Sequence, residues 1–286
     1  MRKFIIYKAS GGLSHNFNGL SLAIHMAVTQ NRILCINMIH HPQKNKGIKF
    51  SDFFIINNND LEYYDEDFSK IPNCYSYHDL SVDDIINNIR STEDYADLKF
   101  IFSIFINDFN LVVYTGNGRN DIPVEIHEKL NQEKLNIKVN DQINKRLKNE
   151  IKIKELYISM HFRNTDIQNN IKEFIKKIRN LDTNIKTLYL ASDDNSSYHI
   201  LKKELSDFII IRNTIPPENI RNLHYSHEAI CNKSNEVYNC LRDIYFILNS
   251  IYFIPSKNSG LSKYIISMIK NKNYLISGID NTPIII

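Results

Sequence analysis

Between Leu156 and Ile276 short apolar runs alternate with segments of helical spacing, and this alternation constrains the fold more than any other feature. Leu156 to Phe162, Thr187 to Ala191, Phe208 to Ile211, Ile251 to Ile254 and Tyr274 to Ile276 read as strands. Ile171 to Leu181, His199 to Leu205, a segment ending near Leu248, and Gly260 to Ile269 read as the helices between them. Strands that alternate with helices in this way imply a parallel sheet covered by helices.

The beginning of the chain has the same grammar. Phe4 to Ala9 reads as a strand, Ser10-Gly11-Gly12 breaks it, and Phe17, Leu20, Leu22, Ile24 and Val28 recur with helical spacing before the strand Ile33 to Ile36. From Gln43 to Asp97 the text is polar and weakly periodic, which suggests short helices and long loops. Ile101 to Ile106 and Leu111 to Tyr114 read as the last strands of this half. Glu125 to Glu150 turns to Lys, Asn and Glu with helical apolar spacing, as a connector would. With 286 residues the chain accommodates two modest domains. The expectation is an α/β protein of two Rossmann-like domains, 1–145 and 146–286.

Charge and cysteine usage exclude several classes. Lys and Arg number 35 against 32 Asp and Glu, a net charge of +3, too balanced for a nucleic-acid binder. Cys35, Cys74, Cys231 and Cys240 form no CxxC pair, which suits a reducing compartment, and Cys35 reads as a buried thiol. The apolar run Phe4 to Tyr7 is interrupted at once by Lys8, too early for a secretory signal. Ile244 to Pro255 includes Asn249 and Ser250 and falls short of the roughly 20 residues of a membrane span. A soluble, cytoplasmic protein is expected. His40-His41 and His224/His227 lack companion ligands, and Asp65-Glu66-Asp67 reads as a solvated acidic loop, so no metal is expected.

Open α/β sheets bind ligands at the carboxyl ends of their strands, and four polar constellations stand there. Gly11-Gly12-Leu13-Ser14-His15-Asn16 follows the first strand, where glycines permit close backbone approach and a helix start offers unpaired N–H groups. In His161-Phe162-Arg163-Asn164-Thr165-Asp166, His161 and Arg163 share strand parity, and a guanidinium fork suits the paired oxygens of a diphosphate. Asp166 can cap the following helix. Asp193 and Asp194 end an apolar strand, where carboxylates hold ribose or sugar hydroxyls or cap the next helix. Ser256-Lys257-Asn258-Ser259-Gly260 opens a helix and reads as an anion cradle, with Asp243 on the partly buried face of the preceding helix.

These segments, in this order, resemble the fucosyltransferase superfamily that carries the H-x-R-x-x-D motif. Leu188-Tyr189-Leu190-Ala191-Ser192-Asp193-Asp194 is similar to its F-L-A-T-D-D stretch, and Asp243-Ile244-Tyr245-Phe246 through Ser259 to its D-I-x-F-L…F-L-V…S-S stretch. The resemblance implies a GT-B fold, two Rossmann-like domains facing a cleft. It implies an inverting glycosyltransferase that moves fucose, or a related sugar, from a GDP-sugar to a glycan hydroxyl without a metal or other cofactor. On that resemblance Arg163 would bind the diphosphate and neutralise the departing GDP. His161 and Asp243 would contact guanosine, while Asn258, Ser259 and neighbouring N–H groups would hold phosphate. Gly11, Gly12 and Asn16 would face the donor from the first domain, and Asp193 and Asp194 complete the expected donor set.

Departures from the pattern are Asn164, where many relatives carry a second arginine, and Ile167, where α-1,6 relatives have lysine. His15 replaces a common Asn or Cys. Asp166 is the first candidate for the general base and His15 the second. The setting expected is bacterial surface polysaccharide synthesis, with loose association with a membrane face. The alternatives are another GDP-sugar, such as a heptose or mannose derivative, or a nucleotide-sugar-binding protein that has lost catalysis.

Overall fold

The computed structural model describes residues 3–8, 12–37, 49–65, 111–115, 124–150, 153–164, 169–216, 233–277, 279 and 281–286. The chain divides into two compact units, Met1–Lys138 and Val139–Ile286.

In the first unit β1 (Lys3–Lys8) leads through the Gly12 turn into α1 (Leu13–Thr29) and then β2 (Arg32–Asn37). Among the described residues there follow a 3₁₀ turn (Phe50–Asp52), β3 (Phe54–Ile56), β4 (Tyr63–Asp65), β5 (Leu111–Thr115) and α2 (Val124–Asn136). The sheet has the order β4-β2-β1-β5, with every pair parallel. Apolar side chains run around most of α1, because Phe17, Leu20, Leu22, Ala23, Ile24 and Met26 are all buried. The helix is sandwiched between the sheet and α2. Phe17 meets Phe54 edge-on at 5.1 Å.

The polar stretch after β2 contains more sheet than its sequence suggested. Tyr63 to Asp65 add a parallel strand to β2, in register Leu34↔Tyr63 to Ile36↔Asp65. All three side chains are half-buried, so this short strand carries no apolar alternation to betray it. Asp65, expected in a solvated loop, instead accepts from the N–H groups of Phe50 and Ser51, each at 2.8 Å, and pins the 3₁₀ turn to the strand. Glu66, Asp67 and the expected strand at Ile101 to Ile106 lie outside the described residues. Cys35 is buried in β2, and burial pushes its thiol up to about 12. Cys74 and Cys231 are also outside the described residues.

The expected helical connector is two helices split by a strand. α2 is followed by β6 (Ile137–Val139) and α3 (Asp141–Glu150), and α3 belongs to the second unit. There the chain continues as β7 (Ile158–Phe162), α4 (Ile171–Arg179), β8 (Thr187–Ser192), α5 (Asn195–Glu204) and β9 (Ile209–Ile211). Then come α6 (Lys233–Leu248), β10 (Tyr252–Ile254), α7 (Gly260–Asn271) and β11 (Ile284–Ile285). The sheet order is β11-β10-β7-β8-β9, again all parallel. β7 is central and buried at every position, as a strand covered on both faces must be. Its Met160 and Phe162 pack with Phe174, Ile178, Leu188, Leu190 and Leu201 into one core.

Two assignments change here. α5 starts at Asn195 rather than His199, because Asp194 caps it and its first turn, Asn195-Ser196-Ser197, has no apolar residue to reveal a period. Tyr274 to Ile276 is not a strand: Leu275 and Ile276 are buried in a bend, and the Leu275 carbonyl accepts from the Val139 N–H at 2.8 Å. The place beside β10 is taken by Ile284 and Ile285.

Candidate functional site

Both sheets reverse their winding direction. In the first, successive described strands depart from β1 toward β2 on one side and β5 on the other. In the second, β7 is followed by β8 and β9 on one side, and the chain returns to place β10 and β11 on the other. Loops leaving such a reversal point diverge above opposite faces, opening a crevice at the carboxyl ends of the strands. In the second unit that crevice lies between β7 and β10, and the sequence loads it with His161, Arg163 and Ser256 to Ser259.

The floor of the crevice is a chain of buried hydroxyls. His161 is 7% exposed, and its Nδ1 lies 2.7 Å from Ser262 Oγ on α7. Ser262 Oγ also accepts from the Ser256 N–H at 3.0 Å, so one hydroxyl bridges the imidazole and the loop before α7. Burial, reinforced by the neighbouring Arg163 charge, pulls His161 down to about 4. It is therefore a neutral imidazole at physiological pH, fit to donate or accept a hydrogen bond but not to neutralise a phosphate. Ser256 Oγ in turn accepts from the Arg163 N–H at 3.2 Å, tying the end of β7 to the loop after β10.

Arg163 is the cation of the site. Its side chain is 19% exposed, and Nε stands 3.9 Å from Asp193 Oδ2. Its carbonyl accepts from Asn169 Nδ2 at 2.5 Å. Beside it α7 begins: Ser259, fully buried, caps the Ser262 N–H at 3.4 Å, and Asn258 takes a left-handed φ of 59° to make the turn. The N–H groups that open α7 provide a partial positive charge at this end of the sheet. Lys257, expected to add charge to this cradle, points to the surface and pairs with Glu173 Oε2 at 3.2 Å. The charged and dipolar groups described at this strand end are thus the Arg163 guanidinium and the start of α7.

Asp193 and Asp194 divide their work. Asp193 Oδ1 accepts from the Asn164 N–H at 2.8 Å while Oδ2 faces Arg163. Asp194 caps α5 through the Ser196 N–H at 3.0 Å and accepts Asn164 Nδ2 at 3.2 Å. Asn164, which stands in for a second arginine, is a clasp between the ends of β7 and β8 rather than a ligand-facing cation.

Asp243 on α6 is half-buried and receives the phenol of Tyr189 at Oδ1, 2.5 Å away. Enclosure in the protein raises its carboxyl to about 6, even though Tyr189 and Arg242 act to lower it. Tyr189 carried no signal of its own in the sequence: on a buried strand it reads as core. In the first unit Gly12 precedes α1, its carbonyl accepts from the N–H groups of His15 and Asn16 at 3.0 Å, and Asn16 is buried with its carbonyl accepting from Tyr7 Oη at 2.8 Å. His15 is half-buried in the first turn. Gly11 and Asp166 lie outside the described residues. Among the described residues no cluster of metal-ligating side chains occurs, and no helix is long and apolar enough to cross a membrane.

The hydroxyl chain makes a testable claim. Ser262→Ala strips a partner from buried His161 and from the Ser256 N–H together, and is expected to destabilise the chain by about 2–3 kcal/mol. Chemical denaturation measures this; a loss below about 0.5 kcal/mol would mean that the chain of hydroxyls is not holding β7 to α7.

No family model and no curated protein sequence matches this chain. Solved structures do. NodZ α-1,6-fucosyltransferase co-crystallised with GDP superposes with a TM-score of 0.60 at 15% identity, covering 93% of this chain and 92% of that one. Fucosyltransferase NodZ from Bradyrhizobium gives a TM-score of 0.60 at 15% identity, covering 93% of each chain. POFUT1 in complex with GDP-fucose gives 0.60 at 10% identity, covering 99% of this chain and 96% of that one. The chain has the α/β fold of these proteins, the GT-B type with Rossmann-like domains.

Proposed function

We propose that this chain is a glycosyltransferase that transfers fucose from GDP-fucose to a hydroxyl of a glycan, with inversion and without a metal. The observation that carries the reading is Arg163 at the end of β7, its N–H bound to Ser256 in the loop that opens α7 at the winding reversal, in a chain sharing its fold with structures that hold GDP and GDP-fucose. A diphosphate placed there meets a forked cation and a helix N-terminus, two groups suited to the charge that grows on departing GDP. Asp243, when ionised, can accept from the two adjacent N–H groups on a guanine edge, and His161 supplies a neutral contact nearby in the reading.

In the reaction the acceptor oxygen attacks the anomeric carbon as the bond to the β-phosphate oxygen breaks. The bonding pair leaves with GDP and is stabilised by Arg163. The hydroxyl proton passes to Asp166 or to His15, the bases this reading assigns. This reading also assigns Gly11, Gly12 and Asn16 to donor binding, and Asn258 and Ser259 to phosphate through backbone N–H groups. The setting we assign is cytoplasmic synthesis of bacterial surface polysaccharide, with loose association with a membrane face. Asn164 favours a second reading: with its amide spent on Asp194 it adds no charge at the diphosphate, as expected for a different GDP-sugar or a binding protein without turnover.

A thermal-shift comparison of GDP, UDP, CMP and ADP and their sugars, with and without EDTA, tests this. GDP ligands at about 100 times their dissociation constant are expected to stabilise by about 2.7 kcal/mol, unchanged by EDTA. A shift confined to UDP and dependent on a metal would reject the proposal.

A further inference from the structure

Behind the Asp243 carboxylate lies a closed hydrogen-bond circuit that the transfer reaction itself does not require. Tyr189 Oη donates to Asp243 Oδ1 at 2.5 Å and accepts from Asn213 Nδ2 at 3.1 Å. The Asn213 carbonyl accepts from Arg242 Nη2 at 2.9 Å, and Arg242 is the residue next to Asp243 on α6. The phenol has one proton, and with its oxygen already receiving the Asn213 amide that proton is directed at the carboxylate. The Tyr189 ring is fully buried and stacks on Phe246 of the same helix, centroids 4.6 Å apart and 12° from parallel, so the donor cannot swing away. Among the described residues the hydrogen bond to Asp243 falls on Oδ1, and Oδ2 is the oxygen a ligand would meet.

We propose that Tyr189, steered by Asn213, is a positioning residue that keeps Asp243 ionised and turned to accept from the N–H edge of guanine, and thereby sets the preference for guanine over adenine nucleotides. This deepens the nucleotide reading and rests on it. Guanine presents two adjacent donors, N1–H and the amino group, and an ionised carboxylate accepts both. Adenine presents a lone pair at N1 beside its amino group. It repels the carboxylate but fits a protonated carboxyl, which offers one donor and one acceptor. The protonation state of Asp243 therefore selects the base.

That state is poised. Burial lifts the carboxyl to about 6, while the Tyr189 hydrogen bond and the Arg242 charge pull it down. Glu236, about two turns earlier on α6, pushes it up, and among the described residues no charge on β7 or α7 enters the balance. Removing the phenol proton leaves burial less opposed, and the midpoint rises.

The experiment compares the unmodified chain with Tyr189→Phe, which keeps the ring and its stack. Dissociation constants for GDP and ADP are measured by calorimetry from pH 5 to 8. The Asp243 carboxyl carbon is titrated by NMR in the ligand-free protein. The variant midpoint is expected about one pH unit higher. At about pH 6 its carboxyl is then about one-tenth ionised against one-half, so its preference for GDP over ADP falls about fivefold or more. Asn213→Ala, which weakens the phenol without touching the core ring, is expected to shift the midpoint in the same direction by less, and decides the matter if Tyr189→Phe does not fold. A folded variant with an unmoved carbon midpoint and unchanged GDP preference overturns the proposal. A moved midpoint in a chain that binds no GDP retains the relay and overturns guanine as its ligand.

Discussion

Arg163→Ala is expected to lower the rate of sugar transfer by about two to three orders of magnitude and to abolish the thermal shift given by GDP. The residue stands at the end of the central strand, its backbone locked by Ser256 and Asn169, so the root of the side chain is fixed before any ligand arrives. Its Nε stands 3.9 Å from Asp193 Oδ2, which places the guanidinium at the carboxyl end of the sheet. Such preorganisation is why deletion should cost rate and not affinity alone. Arg163→Lys is expected to recover little, because an ammonium has no planar fork to match two oxygens. The lost ion pair with Asp193 is itself expected to cost about 0–1 kcal/mol of stability. Steady-state release of GDP in the presence of acceptor reads the effect, and turnover within threefold of the unmodified chain would move the diphosphate away from this strand end.

Asp243→Asn is expected to separate stability from binding. The folded protein raises this carboxyl from 3.8 to about 6, so the folded state binds its proton more readily than the unfolded chain does. The sign follows: the contribution to stability is fully present below pH 3.8 and is lost as pH rises through about 6. Above that, the unmodified chain holds a partly enclosed charge that asparagine would not carry. At pH 8 the variant is expected to be more stable by about 2 kcal/mol, with the gain vanishing near pH 4. Its amide oxygen can still accept from Tyr189 but then turns the Nδ2 donor toward the N–H edge of guanine, and GDP affinity should fall about 10- to 100-fold. In the unmodified chain GDP binding should rise with pH through about 6, opposite to the stability trend. Denaturation midpoints and GDP titrations at about pH 4 and pH 8 check both halves. A variant that is less stable at pH 8, or that binds GDP normally, would remove the carboxylate from the base-reading role.

The second unit was legible because its strands are deep and long enough to leave apolar runs. β7 and β8 are buried at nearly every position, so Ile158 to Phe162 and Thr187 to Ser192 stand out in any reading. β4 and β11 were missed for the converse reason: Tyr63 to Asp65 are half-buried and Ile284 is 55% exposed, so edge strands of two or three residues carry no contrast. Leu275 and Ile276 misled because burial of an apolar pair is equally satisfied by a packed bend.

For the site, residue chemistry by itself determined that His161, Arg163, Asp193, Asp194 and Ser259 follow strands in an alternating α/β chain, since polarity and period are local properties. Only the tertiary structure decided the strand order that brings Arg163 to the start of α7, across about ninety intervening residues, because side-by-side placement of parallel strands depends on packing and not on any local pattern. It likewise decided that Asn164 is a clasp, that Lys257 faces outward, and that Tyr189 is no mere core residue. A tyrosine buried in a strand shows an apolar ring to its neighbours in sequence. Where its single proton goes depends on a helix that arrives more than fifty residues later.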